Sequence, residues 1–354
     1  MASAVPPCAL TNGRAREGYL KALCAFAEGA AVVVPPCSAE VALCVIALFA
    51  DAQRRVARLG GREGMSRSIG SLYGGLVALF LGSTFRGRVT RTFATQFTSC
   101  GGVAITRDGS AVLISNFCYG DDAIYVFHPE TGELLRIIGC KGYGQLQFNF
   151  PFGITIAPDD HIYVSERTNN RVQVLTPCFD FHSFVGADQL HAPVGVCASD
   201  EIVAVSEIQD DRISVFRRTD GALLRRFGSS GSRDGELLSP FELCFLPGCS
   251  RIAVVEPLNY RISVYTLEGA FVGHLGVGLQ GQPTSVVCSA FGEVVIFLSQ
   301  GSFVKLAVGA GSDDKCCTIA SFTYHAFGHK IRGVALHGSV IFAHTFRGEC
   351  LVLT

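Results

Sequence analysis

Three acid–arginine pairs in this chain share one spacing: Glu166/Arg171, Glu207/Arg212 and Glu256/Arg261. Each acid ends a short apolar run and each arginine opens the next. A carboxylate and a guanidinium held at that spacing can form a charge-assisted hydrogen-bonded pair. A catalytic acid is needed once per molecule, whereas this pair recurs, so the pairs are expected to brace corners. The histidines His325, His329, His337 and His344 gather toward the end of the chain. His325 and His329 have the spacing that pairs metal ligands on a helix, but Gly328 interrupts a helix there, so they read as loop residues. Fifteen cysteines run from Cys8 to Cys350 without one CxxC pair. That pattern lacks the paired spacing of a zinc ribbon and reads as free thiols in a reducing, cytoplasmic setting. No Gly-x-Ser-x-Gly elbow, phosphate-binding loop or dinucleotide fingerprint occurs, and no cofactor or metal is implied.

The elements that must position these residues form a repeat. Segments 146–186, 190–228 and 237–276 align on one another. Each holds four short β-branched or aromatic runs divided by Gly, Asp, Asn and Pro turns. The first runs begin as Pro151-Phe-Gly-Ile, Pro193-Val-Gly-Val and Pro240-Phe-Glu-Leu. The pattern continues outward with first-run positions at 102, 153, 195, 242, 285 and 333. Four strands per unit at this period are the signature of a β-propeller. The last unit has room for three runs only, and Arg88–Phe93 supplies a spare fourth run upstream of the first unit. An open ring would expose strand edges, so the expected solution is an all-β six-bladed propeller closed three-plus-one over residues 88–354.

The string from Pro151 to Val174, with its Glu166 and Arg171, resembles an NHL repeat. The resemblance is strongest in units two to four. It weakens in unit one, where Ala123 replaces the arginine, and in unit five, which has neither acid nor arginine. The resemblance implies a six-bladed propeller and no single activity. Propellers of lactonase type, by comparison, hold a metal with several Asp, Glu and Asn side chains around the channel. The matching ring here reads Gly102, Gly153, Gly195, Glu242, Ser285 and Gly333. One acid is too few for a strong calcium site.

In such a ring, the corners between second and third strands and the blade-to-blade connections share one face. Loops on a rigid scaffold are where binding concentrates. The candidate binding residues there are Tyr143, Arg167, Gln209, Arg233 and Tyr260, accompanied by Tyr119, Lys141, Phe148 and Asp210. Glu242 joins them as a lone acid expected at the mouth of the central channel. The function expected is a non-enzymatic interaction scaffold that binds a protein or peptide on this face. The alternatives are a metal-assisted hydrolase or lyase centred on Glu242, and RNA binding.

Residues 1–87 differ in kind, being rich in Ala, Gly and Leu. They are expected to hold short helices near 15–27 and 38–59, the second with Ser38 as N-cap and Arg54, Arg55 and Arg58 at its end. This segment carries 9 basic and 5 acidic residues, the remainder 20 and 25. The net-acidic propeller disfavours RNA as partner. Charged residues make up 17% and hydrophobic residues 49% of the chain, which excludes a mostly disordered protein. No apolar stretch reaches the length of a membrane span.

Overall fold

In the computed structural model, the described residues are 89–94, 100–118, 120–246, 251–275, 279–288, 293–310, 316–324, 331–337, 340–345 and 347–353. The two expected N-terminal helices, Tyr119, His325 and His329 lie outside them. Residues Gly87–Thr354 form one compact unit.

Six four-stranded antiparallel sheets make up this unit. Blade one is Cys100–Ile105, Val112–Cys118, Asp121–Phe127 and Leu134–Ile138. Blade two is Pro151–Ile156, Ile162–Glu166, Arg171–Leu175 and Phe181–Val185. Blade three is Pro193–Ala198, Ile202–Glu207, Arg212–Arg217 and Leu223–Phe227. Blade four is Leu243–Phe245, Arg251–Glu256, Arg261–Thr266 and Phe271–Leu275. Blade five is Pro283–Cys288, Glu293–Leu298, Phe303–Ala310 and Cys316–Tyr324. The first strands of successive blades lie side by side around the axis, with blade six returning to blade one.

Blade six closes the ring. Its strands Ile331–His337, Val340–Thr345 and Glu349–Leu353 are completed by Val89–Ala94, which pairs antiparallel with Glu349–Leu353. The register runs from Val89 opposite Leu353 to Ala94 opposite Glu349. Phe93 is buried there and packs in a cluster with Phe127, Cys350 and Val352. The three-plus-one closure expected from the spare run at 88–93 is therefore present, and it covers the outer edge that Glu349–Leu353 would otherwise expose.

The alternation of each strand turns one set of side chains toward the preceding blade and the other toward the next. Separate apolar clusters consequently fill the spaces between consecutive blades, for example Leu113, Ile124, Ile154 and Val164 between blades one and two. Ile213, Val215, Ile252 and Val254 do the same between blades three and four. No helix long and apolar enough to cross a membrane occurs among the described residues.

Candidate functional site

The repeated acids are fully enclosed. Glu166, Glu207 and Glu256 have no exposed surface. Arg171 Nε donates to Glu166 Oε1 at 2.8 Å, and Arg212 and Arg261 do the same to Glu207 and Glu256 at 3.0 Å. Burial pushes the Glu166 carboxyl up, and the hydrogen bond and charge of Arg171 pull it back. The arginines do more than neutralise. Arg171 also donates to the backbone carbonyls of Tyr143, Gly144 and Gln147, and Arg261 to those of Ser232, Arg233 and Glu236. Each thus fastens the connection that leads into its own blade. Asn169 and Asn259 add a bond each to the carbonyls of Gly142 and Gly231. In blade three the connection is shorter, and Arg212 instead pairs with Asp210 at 2.8 Å. His191, Glu207 and Asp210 place ligand atoms within 4.8 Å of one another, but the Arg212 guanidinium already supplies their positive charge.

The glycine ring has a steric cause. A Cβ on Gly153 would lie 2.3 Å from the Val194 carbonyl oxygen, and one on Gly195 2.3 Å from that of Phe241. Neighbouring first strands approach too closely for a side chain. A serine on the second strand uses this approach. Ser115, Ser165 and Ser206 each accept the glycine N–H of their own blade and donate to a carbonyl of the next, namely Phe152, Val194 and Phe241. Blade four has Val255 where the serine would stand and Glu242 where the glycine would stand. Its staple is replaced: the Glu242 carboxyl reaches blade five and accepts the Ser285 hydroxyl and the Val286 N–H. Burial raises the Glu242 carboxyl to about 8, against which these two donors pull it down. In blade six His344 holds the matching position and contacts the Cys100 thiol across the ring closure. Burial first, then the Arg332 charge, lowers His344 to about 4.

One position before the glycine ring, the residues read Gly101, Phe152, Val194, Phe241, Thr284 and Arg332. Large side chains come from blades two, four and six, small ones from the blades between. Phe152 meets Phe241 edge-on at 5.1 Å, and the Arg332 guanidinium lies 5.5 Å from the Phe152 ring. Those contacts join alternate blades, so they cross the axis. Phe117 and Phe150 stack beside them at 4.1 Å, with Arg167 5.4 Å from the Phe150 ring. This aromatic–arginine plug closes the axis on the corner-loop side. Below it a cavity of about 680 Å³ runs along the first strands to the opposite face. Glu242 lies at its inner end, and Arg107 and His337 stand where the first-to-second turns open it. Glu242 is therefore beneath the plug, not at a mouth on the corner-loop face. The sequence reading aligned the glycine ring but passed over the position before it, where the alternation of large and small residues was visible.

The other expected site residues lie where the corner-loop face was drawn. Tyr143 and Tyr260 are 74% and 53% exposed, and Leu258 beside the latter is 55% exposed. Arg167, Gln209 and Arg233 are exposed as well. They do not converge on one pocket: Tyr143 and Arg167 belong to the surroundings of blade two, Gln209 to blade three, Arg233 and Tyr260 to blade four. Phe148, placed on this face by its sequence position, is instead fully buried between blades one and two, because the connection folds it inward.

Tyr260 departs from its blade equivalents. Asn170 and Asp211 occupy the same corner position with φ of 52° and 49°, and their side chains accept the N–H of Ala192 and Ser239 in the next connection. Asp122 accepts the Phe150 N–H in the same way. Asn and Asp are the residues that tolerate this left-handed conformation and bond locally. Tyr260 keeps the conformation, with φ of 54°, and replaces the inter-blade acceptor with an exposed ring.

An NHL repeat family model matches residues 148–175. Among solved structures, a streptogramin B lyase aligns with a TM-score of 0.51 at 10% identity, over 75% of this chain and 97% of that one. A selenomethionine-substituted virginiamycin B lyase from Staphylococcus aureus aligns with a TM-score of 0.49 at 11% identity, over 75% and 98%. At such identity the likeness is one of fold. No match was found among curated proteins.

Proposed function

We propose that this six-bladed propeller, which carries an NHL repeat, is a non-enzymatic interaction module that binds a protein or peptide partner on its corner-loop face. The observation that carries the reading is Tyr260. A position that elsewhere ties blade to blade holds an exposed aromatic in a strained backbone conformation. Strain without a structural return is most often kept where it serves recognition. Tyr143 and Leu258 add exposed apolar surface on the same face, and Arg167 and Arg233 add cations. Tyrosine and arginine are the residue types that dominate binding energy at interfaces. The repeated acids support the same reading, since all three are committed to arginines and loop backbones. The alternative, metal-assisted hydrolysis, would rest on Glu242, whose carboxyl is already held by Ser285 and Val286. The net-acidic propeller favours a protein partner over RNA.

The test compares surface variants of the full chain for retention of partners captured by the wild type. Arg167→Ala and Tyr260→Ala are expected to weaken capture with unchanged melting temperature. Arg225→Ala, on an outer strand where the guanidinium bonds the Leu267 carbonyl, is expected to leave capture intact. The reverse order would place the partner on the side of the propeller.

A further inference from the structure

We propose that His274 is a protonation-controlled fastener of the connection between blades three and four, and that it thereby regulates how Arg233 is presented on the corner-loop face. The regulatory role rests on the partner-binding reading above; the fastening itself does not. A chain of hydrogen bonds running outward through blade four carries it. The Ser263 hydroxyl donates to Glu256 Oε1, His274 Nδ1 lies 3.1 Å from Ser263 Oγ, and His274 Nε2 lies 3.2 Å from Asp234 Oδ1. The Glu256 carboxylate, paired with Arg261, only accepts, so Ser263 gives it its one hydrogen and can only accept from Nδ1. The Asp234 carboxylate likewise only accepts, from Nε2. Both bonds together require both ring nitrogens to donate, which only the imidazolium does. A neutral ring keeps one of the two. Ser263 has no exposed surface, whereas the Asp234 side chain is 79% exposed and water can replace its partner. The bond to Ser263 is the costlier one to lose, so deprotonation releases Asp234.

The neighbouring blades show what this position does when it cannot titrate. Arg226 stands opposite Ser214 in blade three as His274 stands opposite Ser263 in blade four. Its Nε donates to Ser214 Oγ at 3.2 Å, Ser214 donates to Glu207, and a second guanidinium nitrogen donates to the Gln189 carbonyl at 2.6 Å, in the connection leading into that blade. A guanidinium stays charged, so that connection is fastened at every pH. In blade two the matching pair is Gln173 and Phe184, and Gln173 Oε1 accepts the Leu146 N–H of the connection at 2.6 Å. Blade four is the one of these three whose fastener is a histidine, the side chain that changes charge between about pH 5 and 8.

Asp234 belongs to a turn closed by the Glu236 N–H on the Arg233 carbonyl at 3.1 Å and by the Arg233 N–H on Glu236 Oε2 at 2.9 Å. Arg261 grips the carbonyls of this connection whatever the pH, so His274 acts on the tip of the turn, where Arg233 is exposed. The other charged or titratable groups around the imidazole are Glu256 and Arg261 at the corner, Arg233 and Glu236 in the turn, and Tyr265 two residues beyond Ser263. Burial raises the Tyr265 hydroxyl, which removes it from this pH range. The Phe271 ring packs 4.9 Å from the imidazole. The order Ser263–His274–Asp234 resembles a hydrolytic triad, but Ser263 is enclosed and its hydrogen is committed to Glu256, so no substrate reaches it.

The experiment is amide hydrogen exchange of the full chain at about pH 5.5 and 7.5, each corrected for the intrinsic exchange rate. The Glu236 amide reports the turn, the Leu190 amide, bonded to the Gly186 carbonyl in the connection held by Arg226, serves as internal control, and the strand Arg251–Glu256 reports that the blade stays folded. In the wild type, protection of Glu236 is expected to be about two- to fivefold higher at the lower pH, the range of an ion pair with one exposed partner, and that of Leu190 to be unchanged. His274→Arg copies blade three and should hold the turn at the protected level at both pH values. His274→Gln and Asp234→Ala should hold it at the released level at both. Equal protection of Glu236 at the two pH values in the wild type would overturn the proposal. So would a pH dependence that survives in His274→Gln or Asp234→Ala. Exchange is read without a partner, so its outcome is separate from whether Arg233 contacts one.

Discussion

At the scale of single residues, Glu242 shows how one substitution in a repeat changes both a contact and a titration. Glycine at this ring position lets two strands meet, and a second-strand serine staples them. In blade four the carboxyl takes over the stapling, at the expense of placing an ionisable group where burial disfavours its charge. The consequence for stability has a definite sign. Below about pH 4.5 the folded and unfolded chains both carry this proton. As pH rises toward 8 the unfolded chain releases it and the folded chain holds it. Stability from this group therefore falls through that window, by up to about 1.4 kcal/mol per pH unit. His344 acts in the opposite direction: its folded value near 4 lies below the usual one, so its contribution is present above about pH 6.5 and is lost as pH falls toward 4. Denaturant unfolding of Glu242→Gln and wild type between pH 5 and 8 separates the two. The variant should be steadier toward the alkaline side, and parallel curves would show that Glu242 titrates as an ordinary surface acid. The departure at 242 was legible in the sequence, because four of the other five blades display the glycine it replaces. Its partner was not: Ser285 and Glu242 come from adjacent repeats, and only the three-dimensional closeness of two first strands joins them.

At the scale of elements, Arg171 and Arg261 bind three parts of the structure at once: the acid at the end of the second strand, the start of the third strand, and the connection from the preceding blade. The pairing was readable from the constant spacing. The grip on the connections was not, since backbone carbonyls leave no trace in side-chain patterns. The blades differ in how much each arginine holds, which makes a graded expectation. Arg171→Ala removes a pair to a fully enclosed acid and three bonds to loop carbonyls, and should cost about 3–5 kcal/mol. Arg212→Ala leaves Glu207 with the Ser214 hydroxyl and the His191 N–H, and should cost about 1–3 kcal/mol. Thermal or urea unfolding of the two variants checks the order. Equal losses would mean that the connection ahead of blade two needs no fastening from Arg171. The aromatic plug belongs to the same scale. Its alternation of large and small residues follows from six first strands converging on one axis, where six bulky side chains would not fit.

At the scale of the whole molecule, the ring is closed by a strand from one end of the propeller and three from the other. That arrangement was legible because one unit was a strand short and a spare strand stood upstream. It makes cooperativity depend on residues far from the last blade. Removing residues 1–94 deletes the strand that covers Glu349–Leu353 and buries Phe93, and should lower the melting temperature of the whole ring. Removing 1–80 retains that strand and should leave the ring's melting temperature near that of the full chain. Equal melting of the two truncations would count against closure by this strand. The closed ring is also what gives the corner-loop face its function in this account, since Arg167, Gln209 and Tyr260 come from separate blades and can meet one partner only on a rigid frame. Tyr260→Asn tests that central claim most directly, by measuring stability and partner capture on the same protein. Asparagine suits the left-handed backbone and can restore the inter-blade acceptor that Asn170 and Asp211 provide. The account predicts a gain in stability on the order of 1 kcal/mol together with a loss of partner capture. A variant that captures partner as well as the wild type would contradict it.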